Sequence, residues 1–411
     1  MLNFSTAVNS SSLRLARSSV PSRRARSREV QTQDVPVYNG EFWTASQRQA
    51  SSIHEVSYRA CFKPQLPAYF INQLTEPGDR VYDPFAGRGT TAIEAALLGR
   101  NVIANDVNPL SAIFIEPRLE LPELADIEAR LATIQHARSE KTSLDLSMFY
   151  HRDTARELMG LRNYLNARRA DYTEDGIDRW IRMVATNRLT GHSPGFFSVY
   201  TLPPNQAASP DNQIKINTRL KQKPEYRDVH ALILKKSWQL QSRLSAANRQ
   251  HLREAALNAA YLNDDAADTT GIPTECVKLT VTSPPFLDVV QYAKDNWLRC
   301  WFNDLDEQEI ASRITMCGTV AHWSTVMLQV FRELYRITAP NGWVAFEVGE
   351  VRGGKIRLDE IVAPIGISAG FACMAVAINA QKFTKTANIW GVRNNSQGTN
   401  TNRIVLFRKP V

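Results

Sequence analysis

The stretch RVYDPFAGRGTTAIEAALLGRNVIANDVNP (residues 80–109) decides the fold. It reads as a short strand, a glycine loop at residues 86–89, a helix that Thr90 can cap, and a second strand with Asp106 at its carboxyl end. Such a strand–loop–helix–strand unit is half of a doubly wound sheet, in which the loop glycines let a ligand approach the backbone closely. The stretch therefore predicts an α/β fold with a ligand site at the loop.

The spacing of the glycines narrows the kind of ligand. A dinucleotide site has the pattern GxGxxG, with a third glycine where helix packs on strand, whereas only Gly87 and Gly89 are present here. An acid at the end of the second strand, in the position of Asp106, can accept hydrogen bonds from both hydroxyls of a ribose. We expect a ligand that contains adenosine.

The composition limits the classes of protein. The chain has 411 residues, 43% of them hydrophobic, which suits one large domain with an insertion or two domains. A formal charge of +8 favours a polyanionic partner. No apolar run approaches the ~20 residues that span a bilayer. The five cysteines lack CxxC spacing and the histidines lack HxH or HExxH grouping, so we expect no metal and a reducing compartment such as the cytoplasm.

Residues 1–38 form a basic segment that we leave out of the predicted fold. They are rich in Ser and Arg and contain no acid before Glu29. This composition is typical of a disordered arm that contacts phosphates, of an organellar transit peptide, or of a leader without a role. We expect ordered structure to begin near Val37.

A second basic segment covers residues 149–255. Between Phe149 and Arg253 it has 18 Lys and Arg against 9 Asp and Glu, an excess of +9 that accounts for the charge of the whole chain. Basic residues mixed with Asn, Gln and aromatics suit contacts with phosphates and base edges. The segment is predicted to be an insertion that binds DNA, the alternative being a solvated helical face.

A strand at residues 278–282 ends abruptly in Ser283-Pro284-Pro285-Phe286. Two prolines cannot continue a helix or donate to a sheet, so they stiffen the backbone at the carboxyl edge, where ligands bind in such folds. Together, DPFAGRGTT and TSPPF resemble motifs I and IV of the S-adenosylmethionine-dependent amino-methylating DNA methyltransferases, in particular the cytosine-N4 type. The resemblance covers residues 53–108 and 259–409.

The resemblance implies S-adenosylmethionine as cofactor, held by the glycine-loop unit. Phe62 and Lys63 would close over its methionine end, and Asp265 would face its adenine. The other implied cofactor residues are Asp83, Phe85, Ala86, Gly87, Gly89, Thr90, Asp106 and Asn108.

It also implies a catalytic site in which the exocyclic amine of a flipped-out base is methylated. Ser283 and the Pro284 carbonyl would accept hydrogen bonds from the amine, and Pro285 would stiffen the turn. Phe286 would stack on the base. The implied partners are double-stranded DNA and a cognate restriction endonuclease of a restriction–modification system.

The predicted architecture is a Rossmann-like, mostly parallel doubly wound sheet with a basic insertion of helices and loops. Its predicted parts are a disordered arm (1–38), a cofactor-binding half (39–148), the insertion (149–255) and a catalytic half (256–411). Two features depart from the family pattern: Arg88 replaces a small loop residue, and the insertion carries no assignable motif.

Three other functions remain open from the sequence. An adenine-N6 DNA methyltransferase usually has Asp or Asn where Ser283 stands, and an RNA amino-methyltransferase shares the DPF type of loop. A DNA-binding protein could also keep this fold without turnover. Loss of Asp83, Gly87, Asp106 or Ser283 would have favoured that reading, and all four are present.

Overall fold

The glycine-loop unit lies inside a nine-stranded sheet. The computed structural model describes residues 7–16, 32–43, 50–59, 61–137, 144–203, 206–285, 292–315, 317–351, 356–380 and 401–411. The strands of the sheet are β1 (Ala7–Ala16), β2 (Thr32–Gly40), β3 (Arg80–Asp83), β4 (Asn101–Asn105), β5 (Ala260–Leu262), β6 (Val277–Thr282), β7 (Thr338–Val348), β10 (Ala372–Ala380) and β11 (Thr401–Arg408). A separate two-stranded ribbon pairs β8 (Glu350–Val351) with β9 (Ile356–Arg357).

Helices connect and cover these strands. They are α1 (Gln65–Leu74), α2 (Thr90–Leu97), α3 (Leu110–Ile115), α4 (Leu124–Thr133), α5 (Arg152–Ala170), α6 (Gly176–Arg188), α7 (Pro210–Leu220), α8 (Val229–Gln241), α9 (Ala246–Ala256), α10 (Tyr292–Asp295), α11 (Trp297–Asn303), α12 (Glu307–Arg313), α13 (Val320–Ile337) and α14 (Leu358–Ser368). Short 3-10 turns lie at Ser52–His54 and Glu116–Arg118. None of the described helices is long and apolar enough to cross a membrane.

The strand order β1-β2-β10-β11-β7-β6-β3-β4-β5 has a switch point beside β3. From β3 the chain proceeds outward to β4 and β5, and it then returns to the other side of β3 as β6. β7, β6, β3, β4 and β5 are mutually parallel. Their carboxyl ends therefore meet at one edge, which is where ligands bind in doubly wound sheets. The predicted Rossmann-like, mostly parallel α/β fold is confirmed.

Each face of the sheet carries its own hydrophobic core. In β7, Val344 and Phe346 are buried on one face and Ala345 on the other, as the two-residue period of a strand requires. The Val344 face is covered by α13, whose buried side chains recur at helical spacing: Trp323, Met327, Val330, Phe331 and Leu334. α1, α2 and the helices of the 149–255 segment cover the opposite face.

The N-terminal boundary of the fold was predicted wrongly. Residues 1–38 were expected to be a disordered arm, yet β2 begins at Thr32 and runs parallel to β10, and β1 pairs with β2. Val35 and Val37 of β2 are buried in the sheet core. Because β10, which joins β2 to the rest of the sheet, lies more than 330 residues away, local composition gave no signal for this strand.

Two strands begin directly beside a helix. β5 begins at Ala260, soon after α9 ends at Ala256. β7 begins at Thr338, directly after α13, although it contains Pro340-Asn341-Gly342. Residues 339–342 bulge out of register with β6, and hydrogen bonds to Lys409 hold them in place.

The 149–255 segment is mainly helical, as predicted, and packs into the main core. Leu161 of α5, Trp180 of α6 and Ile233 of α8 are fully buried, in the same hydrophobic cluster as Val81 and Val102 of the sheet. The Trp180 indole N–H donates to the Ser237 hydroxyl at 2.9 Å, which joins α6 to α8. The helices are thus built onto one face of the sheet.

Several arginines of this segment are used in internal ion pairs. Arg182 is buried and contacts Glu174 at 2.5 Å. Asp178, which is also buried, pairs with Arg168 and with Arg130 of α4. These pairs hold acids of the segment as well as arginines, so they leave its net excess of +9 unchanged, and the DNA-binding role of the segment stays a prediction.

Candidate active site

A cleft opens at the carboxyl ends of β3, β4, β5 and β6. The space in it that protein atoms do not fill, counted out into open solvent, is about 970 Å³. Residues predicted from three separate stretches of sequence line it together: Phe85, Gly87, Asp106, Asn108, Asp265, Ser283 and Pro285. Within the described residues no group of three or more His, Cys, Asp or Glu side chains could hold a metal ion.

Asp83 holds two strand ends together beneath the cleft. Its carboxylate accepts hydrogen bonds from the Thr282 hydroxyl at 2.6 Å and from the Phe85 N–H at 3.1 Å. It is almost fully buried and does not line the cleft. Burial raises its pKa to about 7, against the opposing effect of these hydrogen bonds. Asp83 thereby fixes the glycine loop relative to the end of β6, next to Ser283.

Asp106 lies on the wall of the cleft and organises the loop opposite it. Its two carboxylate oxygens accept hydrogen bonds from the backbone N–H groups of Gly87, at 2.8 Å, and Asn108, at 2.9 Å. Burial raises its pKa to about 6, while both hydrogen bonds act in the other direction. Each oxygen has a second lone pair, so the carboxylate can still accept hydroxyl groups of a ligand.

The four small loop residues divide between the cleft and the protein interior. Gly87 (φ +51°) lines the cleft, and a Cβ there would meet Tyr58 at 3.5 Å and the Cys61 sulfur at 3.8 Å, both ordinary contacts. Gly89 (φ +77°) leaves no such room, since a Cβ would lie 2.3 Å from Cγ1 of Ile115. Its N–H donates to the Ala86 carbonyl, and Thr90 is buried at the start of α2. Ala86, Gly89 and Thr90 therefore build the loop without lining the cleft.

Asn108 and Asp265 complete the wall that follows β4 and β5. The Asn108 amide donates to the Tyr58 hydroxyl at 3.5 Å, and its carbonyl oxygen accepts from the Leu110 N–H. Asp265 is exposed at the rim, with its carboxylate accepting from the Ala267 N–H. Both positions can offer polar atoms to a ligand in the cleft.

Ser283 is paired with an acid that sequence reasoning missed. Glu347, at the end of β7, is 8% exposed and forms a side-chain hydrogen bond with Ser283. The Asn402 amide donates to the same carboxylate at 2.8 Å, while burial raises the pKa of Glu347 above its ordinary value. An acid inside the otherwise apolar run from Trp343 to Val348 was the signal available in the sequence.

The turn after Ser283 is held from α13. The Trp323 indole N–H donates to the Pro285 carbonyl at 3.0 Å, and both residues line the cleft. Pro284 is buried and does not line it. Phe286, predicted to stack on the base, lies outside the described residues. Trp323 was not predicted, because its spacing on α13 marks a core residue.

The element before the glycine loop contributes different residues from those predicted. Tyr58, Arg59 and Cys61 line the cleft, whereas Phe62 and Lys63 do not. Arg59 contacts Asp295 at 2.5 Å, which closes one side of the cleft toward α10. The closing role of Phe62 and Lys63 stays a prediction.

Comparison with known proteins finds a family match over the part of the chain that contains the glycine loop. Residues 10–112 match the family described as DNA methylase (N6_N4_Mtase). Over 317 residues the chain is 24% identical to the type II methyltransferase M.BsoBI of Geobacillus stearothermophilus, a match covering 68% of this chain and 58% of that protein. Over 63 residues, 15% of this chain and 12% of the relative, it is 36% identical to the type II methyltransferase M.MjaII of Methanocaldococcus jannaschii.

Among solved structures, the rRNA methyltransferase aviRa from Streptomyces viridochromogenes aligns with 89% of this chain and 93% of its own, at 14% identity and a TM-score of 0.36. The sequence relatives confirm the predicted resemblance to amino-methylating DNA methyltransferases. The chain spans little more than half the length of M.BsoBI and about an eighth of M.MjaII.

Proposed function

We propose that this chain is a DNA methyltransferase that moves the methyl group of S-adenosylmethionine to the exocyclic N4 amine of a flipped-out cytosine. The observation that carries the proposal is the meeting of two motifs in one cleft. The glycine loop with Asp106 forms one wall, and Ser283, hydrogen-bonded to Glu347, lies on the other. A nucleoside-type ligand and an amine can therefore be held side by side.

The cleft fits S-adenosylmethionine in the chemistry of its walls. Asp106 offers carboxylate lone pairs suited to ribose hydroxyls, the backbone at Gly87 is open, and Asp265 lies at the rim where an adenine amine could donate. The cofactor, when bound, supplies an electrophilic methyl group on a sulfonium. Tyr58 and Phe85 add aromatic surface beside it.

Ser283 and Glu347 prepare the attacking amine. With the Ser283 hydroxyl donating to Glu347, the lone pairs of its oxygen are free to accept a hydrogen from the amine. This hydrogen bond, together with a second hydrogen bond from the amine to the Pro284 carbonyl, draws the lone pair of the amine nitrogen out of conjugation with the ring. The amine must lose a proton when it gains a methyl group, and Glu347 lies one hydrogen bond behind Ser283 to receive it.

Cytosine is proposed as the target because Ser stands first in the SPPF string, the signature of the cytosine-N4 type. Adenine N6 is the second candidate, since the matching family includes both N6 and N4 enzymes. A Ser hydroxyl can accept a hydrogen bond from either amine. The choice between them is therefore the finer part of the proposal.

The proposed partner is double-stranded DNA, supported by the net charge of +8. M.BsoBI and M.MjaII are named type II methyltransferases. By analogy with them, we propose a role in a restriction–modification system with a cognate endonuclease. The predicted cytoplasmic location fits this role and stays a prediction.

The function is tested by separating cofactor binding from turnover. Ser283→Ala should lose transfer of labelled methyl from S-adenosylmethionine to duplex DNA, yet bind the cofactor as tightly as the unaltered chain in calorimetry. Asp106→Asn should instead weaken cofactor binding by roughly 10–100-fold, the loss expected for a hydrogen bond to a charged group. Unchanged transfer in Ser283→Ala, or unchanged affinity in Asp106→Asn, would contradict these roles.

A further inference from the structure

A second concave site lies behind the wall of the active-site cleft. We call it the cation pocket, and its charged lining residues are Glu55, Arg88, Arg188, Lys236 and Arg243. The backbone segment 56–59 separates the two sites: Val56 and Ser57 face the cation pocket, while Tyr58 and Arg59 face the cleft. Four cations thus share one concavity with one carboxylate.

Arg88 occupies the loop position where the resembled family has a small residue. Its side chain turns away from the cleft, and Arg88 is 7% exposed. The guanidinium donates to the Val56 carbonyl at 2.8 Å, the Thr90 hydroxyl at 3.2 Å and the Phe62 carbonyl at 3.4 Å. All three acceptors are neutral, so the charge of Arg88 is held in place without being cancelled.

Arg188 and Lys236 form the floor of the cation pocket. Arg188 is 8% exposed, stacks on the Phe196 ring at 4.0 Å, and donates only to oxygens of Asn187. Lys236 is 5% exposed and meets Glu55 at 3.4 Å. Burial and the neighbouring Arg188 lower the pKa of Lys236 to about 8. The two cations therefore repel each other in a poorly solvated place.

The cation pocket lacks the carboxylates that would balance it. Arg243 is exposed at its edge. Among the residues that the structure describes, Arg88, Arg188 and Arg243 make no ion pair, and Glu55 pairs with Lys236 alone. Burying unmatched cations is costly unless an anion accompanies them. An anion from outside the chain would offset this cost.

We infer that the cation pocket binds a phosphoryl group through Arg88, Arg188, Lys236 and Arg243. Guanidinium groups match the oxygens of a phosphate in pairs, and a lysine adds a mobile point charge. The group can come from the DNA backbone or from a free phosphate. The first source rests on the proposed function; the affinity for phosphate itself does not.

If the source is DNA, the cation pocket anchors the duplex beside the cleft. The shared segment is rigid, since the Ser57 carbonyl accepts hydrogen bonds from both Asn187 and Arg299. A phosphate held on one side of it would therefore set the position of the strand relative to Ser283 on the other. Phosphate contacts of this kind fix the register of a protein on DNA.

The test compares Arg243→Gln with Arg253→Gln, which removes another exposed arginine, on α9 and outside the cation pocket. Lys236→Gln probes the floor, and Glu55→Gln removes the opposing carboxylate. Each full-length variant is titrated with inorganic phosphate in a calorimeter and with a fluorescent 20-base-pair duplex at several salt concentrations. Unfolding midpoints verify that each variant is folded.

If the site takes free phosphate, inorganic phosphate should bind saturably. Arg243→Gln and Lys236→Gln should weaken this binding about tenfold. Glu55→Gln should tighten it, and Arg253→Gln should leave it unchanged. A DNA-phosphate site predicts instead that Arg243→Gln lowers the slope of log affinity against log salt by about 0.9 relative to Arg253→Gln. Equal phosphate heats and equal salt slopes in Arg243→Gln and Arg253→Gln would overturn the inference. A chain that fails to methylate DNA would overturn the proposed function alone.

Discussion

At the scale of single residues, the pair Ser283–Glu347 carries the proposed chemistry. Ser283 lies where β6 ends and Glu347 where β7 ends, and the two strands are parallel neighbours. Ser283 stands out in the sequence through the SPPF string, and Glu347 is an acid in an apolar strand, but nothing in the sequence near either residue pairs them. Their meeting follows from the register that places Thr282 opposite Phe346, which a single sequence does not encode locally.

Glu347→Gln is expected to lower kcat about 10²-fold, the usual contribution of a proton acceptor. The amide can still accept from Ser283 but cannot take up a proton. At saturating cofactor, kcat of the unaltered chain should fall as pH drops toward the raised pKa of Glu347, because the protonated acid is no longer an acceptor. Glu347→Gln should lose this decline. The exposed Glu360→Gln is the control, and a pH profile that all three share would rule out the role.

Asp83→Asn tests the buried carboxyl under the loop. The pKa of Asp83 is about 7 in the fold against an ordinary 3.8 in the unfolded chain. Between these values the folded state holds a proton that the unfolded state has lost, so stability falls as pH rises from about 4 to 7. Asp83→Asn has no carboxyl to titrate, so its stability does not fall for this reason between about pH 4 and pH 7.

The difference in unfolding temperature, Asp83→Asn minus the unaltered chain, should therefore increase from pH 5 to pH 8. Thermal melts followed by circular dichroism measure it. Asp126→Asn, on the exposed face of α4, should show no such increase. A constant difference for Asp83→Asn would mean that the carboxyl is not held as described.

At the scale of elements, the glycine loop is fixed by packing as much as by its ligand. Gly89→Ala should destabilise the fold by roughly 2–5 kcal/mol, because left-handed strain adds to overpacking against Ile115. Gly87→Ala, with strain but without the clash, should cost about 1–2 kcal/mol. Urea unfolding measures both. In an Ile115→Ala background, where the clash is gone, Gly89→Ala should cost less than it does in the unaltered chain; equal costs of Gly89→Ala and Gly87→Ala in the unaltered chain would contradict this packing.

The loop unit was also the element most readable from sequence. Residues 80–106 are contiguous, so the strand, the glycine turn and the helix start leave their marks side by side. β2 was misjudged because it pairs with the distant strand β10. Trp323 and Glu347 were missed because each acts through a contact with another element, Trp323 with the Pro285 carbonyl and Glu347 with Ser283.

At the scale of the whole molecule, the cleft and the cation pocket face opposite sides of one backbone segment. Seven predicted residues meet in the cleft, because parallel strands deliver their carboxyl ends to one edge. The charge count of the 149–255 segment was less informative. Some of its arginines pair with Glu174 and Asp178, and the sequence does not show which cations are paired and which are free to contact DNA.

The central claim is methyl transfer to an exocyclic amine of DNA. Its most direct test is incubation of the chain with S-adenosylmethionine labelled in the methyl group and unmethylated duplex DNA, followed by digestion to nucleosides and mass spectrometry. Parallel reactions contain RNA in place of DNA, or Ser283→Ala in place of the unaltered chain. The predicted product is labelled N4-methyldeoxycytidine from DNA alone. Labelled N6-methyldeoxyadenosine would contradict the choice of base, and DNA without labelled nucleoside would contradict the claim itself.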